Sequence, residues 1–236
     1  MTRRKLPEFT KLPSGWIEAG GLRDFRWGGE EGSDNLAALM ALTVIAHHIA
    51  PDNGVARLTY DELTEKASLS RAKVAAGLEI LKRRSIVAPG PEGRSTYQLV
   101  SYSPTEGWAM FPAKGVYDHH GVVAAFTEFR LRRRAELDAM KLYFLFAARR
   151  SRQLNLAKIS YPKIEEFSGV SENYIRAALT VLGANGLIHV DRMRSAQSES
   201  GVANGYRLTH LYPRQHMGSV GRRDDAELDF AEVIES

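Results

Sequence analysis

The sequence predicts a mainly α-helical protein with small β-hairpins, built from two copies of one small unit joined by a helical connector. Three observations lead there. Apolar residues recur at helical spacing in several segments, capping and turn residues bound those segments, and the chain resembles itself at an offset of 101 residues, which sets Ser70 on Ser171. A chain of 236 residues fits one large domain or two small ones. An apolar fraction of 44% and a charged fraction of 25% are those of an ordinary globular protein.

The self-similarity runs without a gap from residue 36 to residue 87. Leu36-Ala37-Ala38-Leu39 falls on Leu137-Asp138-Ala139-Met140, and Arg57-Leu58-Thr59-Tyr60 on Lys158-Ile159-Ser160-Tyr161. Val74 falls on Ile175, Leu78 on Leu179, Leu81 on Leu182, and Ile86-Val87 on Leu187-Ile188. Identities are few, but the apolar class agrees through three helices and their turns. The predicted division is an N-terminal arm over 1–34, a first unit over 35–103, a connector over 104–136, a second unit over 137–212 and a tail over 213–236.

Each element of the first unit has its own local cause. Leu36, Leu39, Met40, Ile45 and Ile49 predict a long helix, which Pro51-Asp52-Asn53-Gly54 ends. Arg57-Leu58 is short and extended. Thr59-x-x-Glu62 is a capping box that starts a second helix at Tyr60. Ser68-Leu69 turns the chain, and Ser70 caps a third helix whose buried stripe is Val74, Leu78 and Leu81. Ile86-Val87 and Thr96 to Val100 make a hairpin around Pro89-Gly90-Pro91-Glu92-Gly93. In the second unit Pro162 suits a first helical position and Gly186 a helix C-terminus. Its hairpin is long, running from Ile188 to Leu208 through residues 195–201.

Helix, short strand, helix, tight turn, helix and hairpin together resemble the winged-helix family. The resemblance rests on Leu58-Thr59-Tyr60-Asp61-Glu62-Leu63, Ser68-Leu69-Ser70-Arg71-Ala72-Lys73-Val74 and Leu78-x-x-Leu81 in the first unit. Ile159-Ser160-Tyr161-Pro162-Lys163-Ile164, Gly169-Val170-Ser171-Glu172-Asn173-Tyr174-Ile175 and Leu179-x-x-Leu182 carry it in the second. The long second hairpin departs from the pattern. The resemblance implies two tandem winged-helix domains whose third helices enter the major groove of DNA.

The residues suit that role. With Val74, Leu78 and Leu81 inward, Arg71, Ala72, Ala75 and Lys82 face outward, and small alanines allow close approach. Arg71 and Lys73 are candidate readers of guanine edges or phosphates, and the N–H groups beyond Ser70 can take a phosphate. Replacing either Arg71 or Lys73 by alanine is expected to reduce discrimination between sites. Lys82, Arg83, Arg84 and, in the hairpin, Arg94 suit backbone contacts. In the second unit the candidates are Ser171, Asn173, Tyr174 and Arg176, with Arg192 and Arg194 at the hairpin base. Asn173 matches adenine, while Tyr174 would equally suit docking on a protein.

Charge placement agrees. The last 13 residues hold six acids and no Lys or Arg, so the rest of the chain carries a net +10 against +4 for the whole. A basic body with an acidic tail points to a polyanion. The tail also interleaves Leu228, Phe230, Val233 and Ile234 with acids and fits a protein partner. In the connector, Val122, Phe126 and Phe129 predict a packed helix, followed by Arg130, Arg132, Arg133 and Arg134. Arg149, Arg150 and Arg152 add to the same basic footprint. The first 34 residues read as a frayed arm, with Arg3-Arg4-Lys5 able to enter a minor groove.

Enzyme signals are weak. The absence of cysteine excludes disulfides, thiol nucleophiles and thiolate metal sites. Asp118-His119-His120 matches only three residues of a metal-dependent phosphoesterase signature, and His47-His48 falls on a core helix. No phosphate-binding glycine loop, dinucleotide fingerprint or nucleophile elbow is present. The expectation is a non-enzyme without metal or cofactor. The N-terminus lacks the apolar core of a secretory signal, and a cytoplasmic protein without a membrane span is expected. The expected partner is double-stranded DNA, and the leading function is transcriptional regulation. A replication initiator of a plasmid or mobile element and a winged-helix interaction scaffold are the alternatives, and either a homodimer or a single chain spanning two sites is open.

Overall fold

A computed structural model describes residues 5–29, 31–151, 153–194 and 202–211. The loop 195–201, the acidic tail, Arg152, and Arg3 and Arg4 of the expected arm lie outside the described residues. Seven helices and three small antiparallel sheets make up the described chain.

The first half runs α2 (Gly32–His47), β2 (Val55–Arg57), α3 (Tyr60–Ala67), α4 (Arg71–Arg83), β3 (Val87–Pro89) and β4 (Thr96–Leu99). The second runs α5 (Arg134–Arg149), β6 (Ala157–Lys158), α6 (Tyr161–Ser168), α7 (Glu172–Ala184), β7 (Ile188–Arg194) and β8 (Val202–Leu208). The order is the same, and α6 and α7 sit 101 residues after α3 and α4 with equal lengths. Each half closes with a three-stranded sheet in which the last strand lies in the middle: β2-β4-β3 and β6-β8-β7.

Local chemistry explains the helix ends. Thr59 Oγ1 accepts from the Glu62 amide while the Glu62 carboxylate accepts from the Thr59 amide, so both halves of the capping box form. Ser70 Oγ accepts from the Lys73 amide at 3.3 Å. Ser171 makes no such side-chain bond; the Glu172 amide instead donates to Glu165 Oε2 at 3.2 Å. Pro162 lies in the first turn of α6, and Gly186, just past α7, has φ +64°, a left-handed geometry that glycine adopts without penalty.

Three expectations are corrected. First, residues 1–34 are not a free arm. They contain β1 (Phe9–Pro13), the short helix α1 (Gly15–Glu18) and a 3₁₀ turn at Gly21–Asp24, and they bury Leu12, Ile17, Leu22 and Phe25 completely or nearly so. Second, the connector holds no α-helix before Arg134, where α5 begins. Its main element is β5 (Trp108–Pro112), which pairs with β1 in the register Phe9–Pro112 to Pro13–Trp108. Val122, Phe126 and Phe129 surround a 3₁₀ turn at Ala124–Glu128 instead, and Val123, Phe126 and Phe129 are buried. Third, Ile49 is not part of α2, which is buried on all sides from Asn35 to His47 as a core helix; Ile49 lies beyond it in a bridge with Ala56.

The seam between the halves explains the first two corrections and the burial of α2. Helices α2 and α5 pack on each other, and β5 inserts Phe111 beside them. The Phe111 ring stacks on Phe144 of α5 at 5.1 Å between centroids and lies 5.2 Å from His47 of α2. Trp16 of α1 reaches both Phe25 and Phe144. One hydrophobic cluster extends from Leu12 to Leu211. Two separate cores would leave α2 with a polar outer face; one shared core requires it apolar all round, whereas α5 keeps a charged stripe at Arg134, Asp138 and Lys141.

Candidate nucleic-acid interface

Helix α4 keeps Val74, Leu78 and Leu81 in the core and leaves Arg71, Ala72, Ala75 and Lys82 exposed. Gly77 allows the close fit behind them: a Cβ there would lie 2.9 Å from the Ala38 nitrogen and 3.0 Å from the Ala37 carbonyl carbon of α2. The helix is thus pressed on α2 with its first turn turned to solvent.

The basic side chains of this face differ in availability. Arg71 is exposed and pairs with Asp61 of α3. Lys73 departs from expectation: it is half-buried, its Nζ 2.6 Å from Asp34 Oδ1 and 2.5 Å from Ser33 Oγ at the start of α2. It ties α4 to α2 rather than facing outward. Arg83 donates to both carboxylate oxygens of Glu31 at 3.0 Å. Arg84 packs over Phe25 and donates to the Asp24 carbonyl at 2.6 Å. Lys82 and, in the β3–β4 hairpin, Arg94 are exposed and make no ion pair among the described residues.

On α7, Ile175, Ala178 and Leu182 are buried, while Glu172, Asn173, Tyr174 and Arg176 are exposed. Ser171 is half-buried. Tyr174 is not a bare docking ring: the guanidinium of Arg134 lies 3.8 Å from its centroid. Arg192 and Arg194 lie on β7, and their side chains are outside those described. Two members of the expected basic footprint point elsewhere. Arg149 stacks on Phe167 at 4.0 Å, and Arg150 is buried. The arginine run before α5 is fixed by buried Glu136, whose carboxylate accepts from the Arg130 and Arg132 amides at 2.9 and 3.3 Å.

The histidine motifs are structural. His47 is buried with Nδ1 3.0 Å from the Tyr117 hydroxyl, and burial, reinforced by His48, holds its pKa down to about 3. Asp118 Oδ1 accepts from the amides of His120 and Val122 and shapes a turn. Among the described residues no group of three or more His, Asp or Glu is placed to hold a metal ion, and no helix is long and apolar enough to cross a membrane.

Sequence reasoning missed a second basic feature. A cleft of about 470 Å³ opens where the N-terminal segment meets α5, lined by Arg23, Arg26, Trp27, Arg134, Asp138 and Lys141 among others. Arg134 Nε donates to Asp138 Oδ2 at 3.1 Å. Lys141 is 3% exposed, and desolvation lowers its pKa to about 8, opposed by the Asp138 charge and reinforced by Arg134. The signal was present: Arg134, Asp138 and Lys141 are spaced i, i+4 and i+7 on one face of a helix whose run Leu142 to Phe146 is apolar or aromatic. Comparison with known proteins found no matching family model and no matching curated protein.

Proposed function

We propose that the chain is a sequence-specific double-stranded DNA-binding protein of winged-helix type and acts as a transcriptional regulator. The observation that carries this reading is the doubled order of elements, with α4 exposing Arg71, Ala72 and Ala75 and α7 exposing Glu172, Asn173, Tyr174 and Arg176 at their starts after a tight turn. Arg71 reads a base edge, Arg94 and Lys82 hold phosphates, and in the second half Asn173 and Arg176 read the groove. The exposed pair between Arg71 and Asp61 does not oppose this, because such pairs exchange readily with solvent and are worth about 0–1 kcal/mol.

A salt titration on random duplex, followed by competition with fragments selected from a random pool, tests the reading. Six phosphate contacts give a log–log slope of about −5, from about −0.9 per phosphate. A flat salt response, or no enrichment of any sequence, would refute it and favour an interaction scaffold.

A further inference from the structure

We propose that the cleft between the N-terminal segment and α5 binds a small anion carrying a terminal phosphoryl group. The site adjoins the start of α7, where Arg134 stacks on Tyr174, but uses none of Arg71, Arg94, Asn173 or Arg176 and stands without them. Its lining sets four cations, Arg23, Arg26, Arg134 and Lys141, against one carboxylate, Asp138, which Arg134 already engages. Lys141 is 3% exposed and makes no hydrogen bond or ion pair within 4.0 Å among the described residues. An ammonium taken out of water without a bonded partner opposes folding. The Asp138 charge offsets part of that cost, and a bound anion would supply the hydrogen-bonded partner that Lys141 lacks among the described residues.

The chemistry of the wall narrows the ligand. Guanidinium groups present paired donors that match phosphoryl oxygens, and a phosphomonoester brings about −1.5 to −2 charges to a lining with net positive charge. The cleft volume of about 470 Å³ suits a small molecule. Trp27 and Phe25 add an apolar wall for whatever carries the phosphoryl group. A terminal phosphoryl group can enter a recess with Lys141 in its wall; a phosphodiester flanked by sugars on the convex face of a duplex cannot.

The test uses the full chain without DNA, titrated calorimetrically with inorganic pyrophosphate and, separately, with ATP. Saturable binding of at least one probe is expected, weakened about tenfold or more in both Lys141→Met and Arg26→Gln. Lys141→Met keeps the length of the chain and leaves Asp138 its pair with Arg134, and a single cooperative thermal transition shows that the variant is folded when it is titrated. Equal affinity for the two probes assigns the site to phosphoryl groups alone; tighter ATP binding assigns the Trp27 wall to a base, and both support the proposal. Binding of neither probe, or unchanged affinity in both variants, overturns it while leaving the DNA reading untouched.

Discussion

Arg71 and Lys73 stand two residues apart in the first turn of α4, yet the structure gives them different work. Arg71 is exposed and can leave Asp61 for a base edge. Lys73 is held by Asp34 and Ser33. Arg71→Ala is therefore expected to narrow the gap between selected and random duplexes by about 1–3 kcal/mol. Arg94→Ala should weaken all duplexes alike and reduce the salt slope by about 1. Lys73→Ala should leave the ratio intact and lower stability by about 1 kcal/mol. Parallel binding and denaturation curves separate these outcomes; loss of discrimination in Lys73→Ala at unchanged stability would restore it to the reading face. His47 sets a second residue-scale expectation. The unfolded chain takes up a proton below about pH 6.5, which the folded chain refuses until about pH 3. Stability should thus fall on acidification below pH 6.5, by up to about 1.4 kcal/mol per pH unit. In His47→Phe, which keeps the stacking on Phe111, urea midpoints between pH 6.5 and 5 should be flatter.

Short amphipathic helices were legible because their ends and buried stripes are written locally. Thr59 and Glu62 cap α3, Ser70 caps α4, and Val74, Leu78 and Leu81 lie on one face of a helix with a solvent side. The long helices were legible as helices, but not in their surroundings. A segment buried on every side carries no face to read, so Leu36 to Ile45 showed a core helix without showing what packs on each side of it. The close contact of α4 on α2 depends on Gly77, whose meaning appears only when the partner backbone is known. Gly77→Ala normally favours a helix by about 1 kcal/mol. Here the added methyl meets the α2 backbone at Ala37 and Ala38, and neither helix can yield as a flexible side chain would. The variant should instead lose about 1–3 kcal/mol in denaturant titration. A gain in stability would mean that the α2–α4 contact is looser than described.

At the scale of the molecule, the doubled element order was legible because it repeats in sequence, whereas the seam was not. Phe9 to Pro13 and Trp108 to Pro112 are far apart in the chain, and their pairing is a non-local event that no local pattern announces. That pairing turns a supposed arm and a supposed linker into the layer that covers α2 and α5. Its consequence is thermodynamic. Phe111 is fully buried and touches His47 on one half and Tyr143 and Phe144 on the other. Removing its ring opens a cavity against both long helices at once, at a cost of about 3–5 kcal/mol. If the halves stand on one core, Phe111→Ala lowers the midpoint of a single transition, seen alike by helix signal and by the fluorescence of Trp16 and Trp108 at the seam. If each half were stable alone, the same variant would split the curve, with one half melting near its original midpoint and tryptophan and helix signals parting. Coincident curves in parent and variant are the expected result, because α2, buried from Asn35 to His47, has no polar face to present to water when the halves separate.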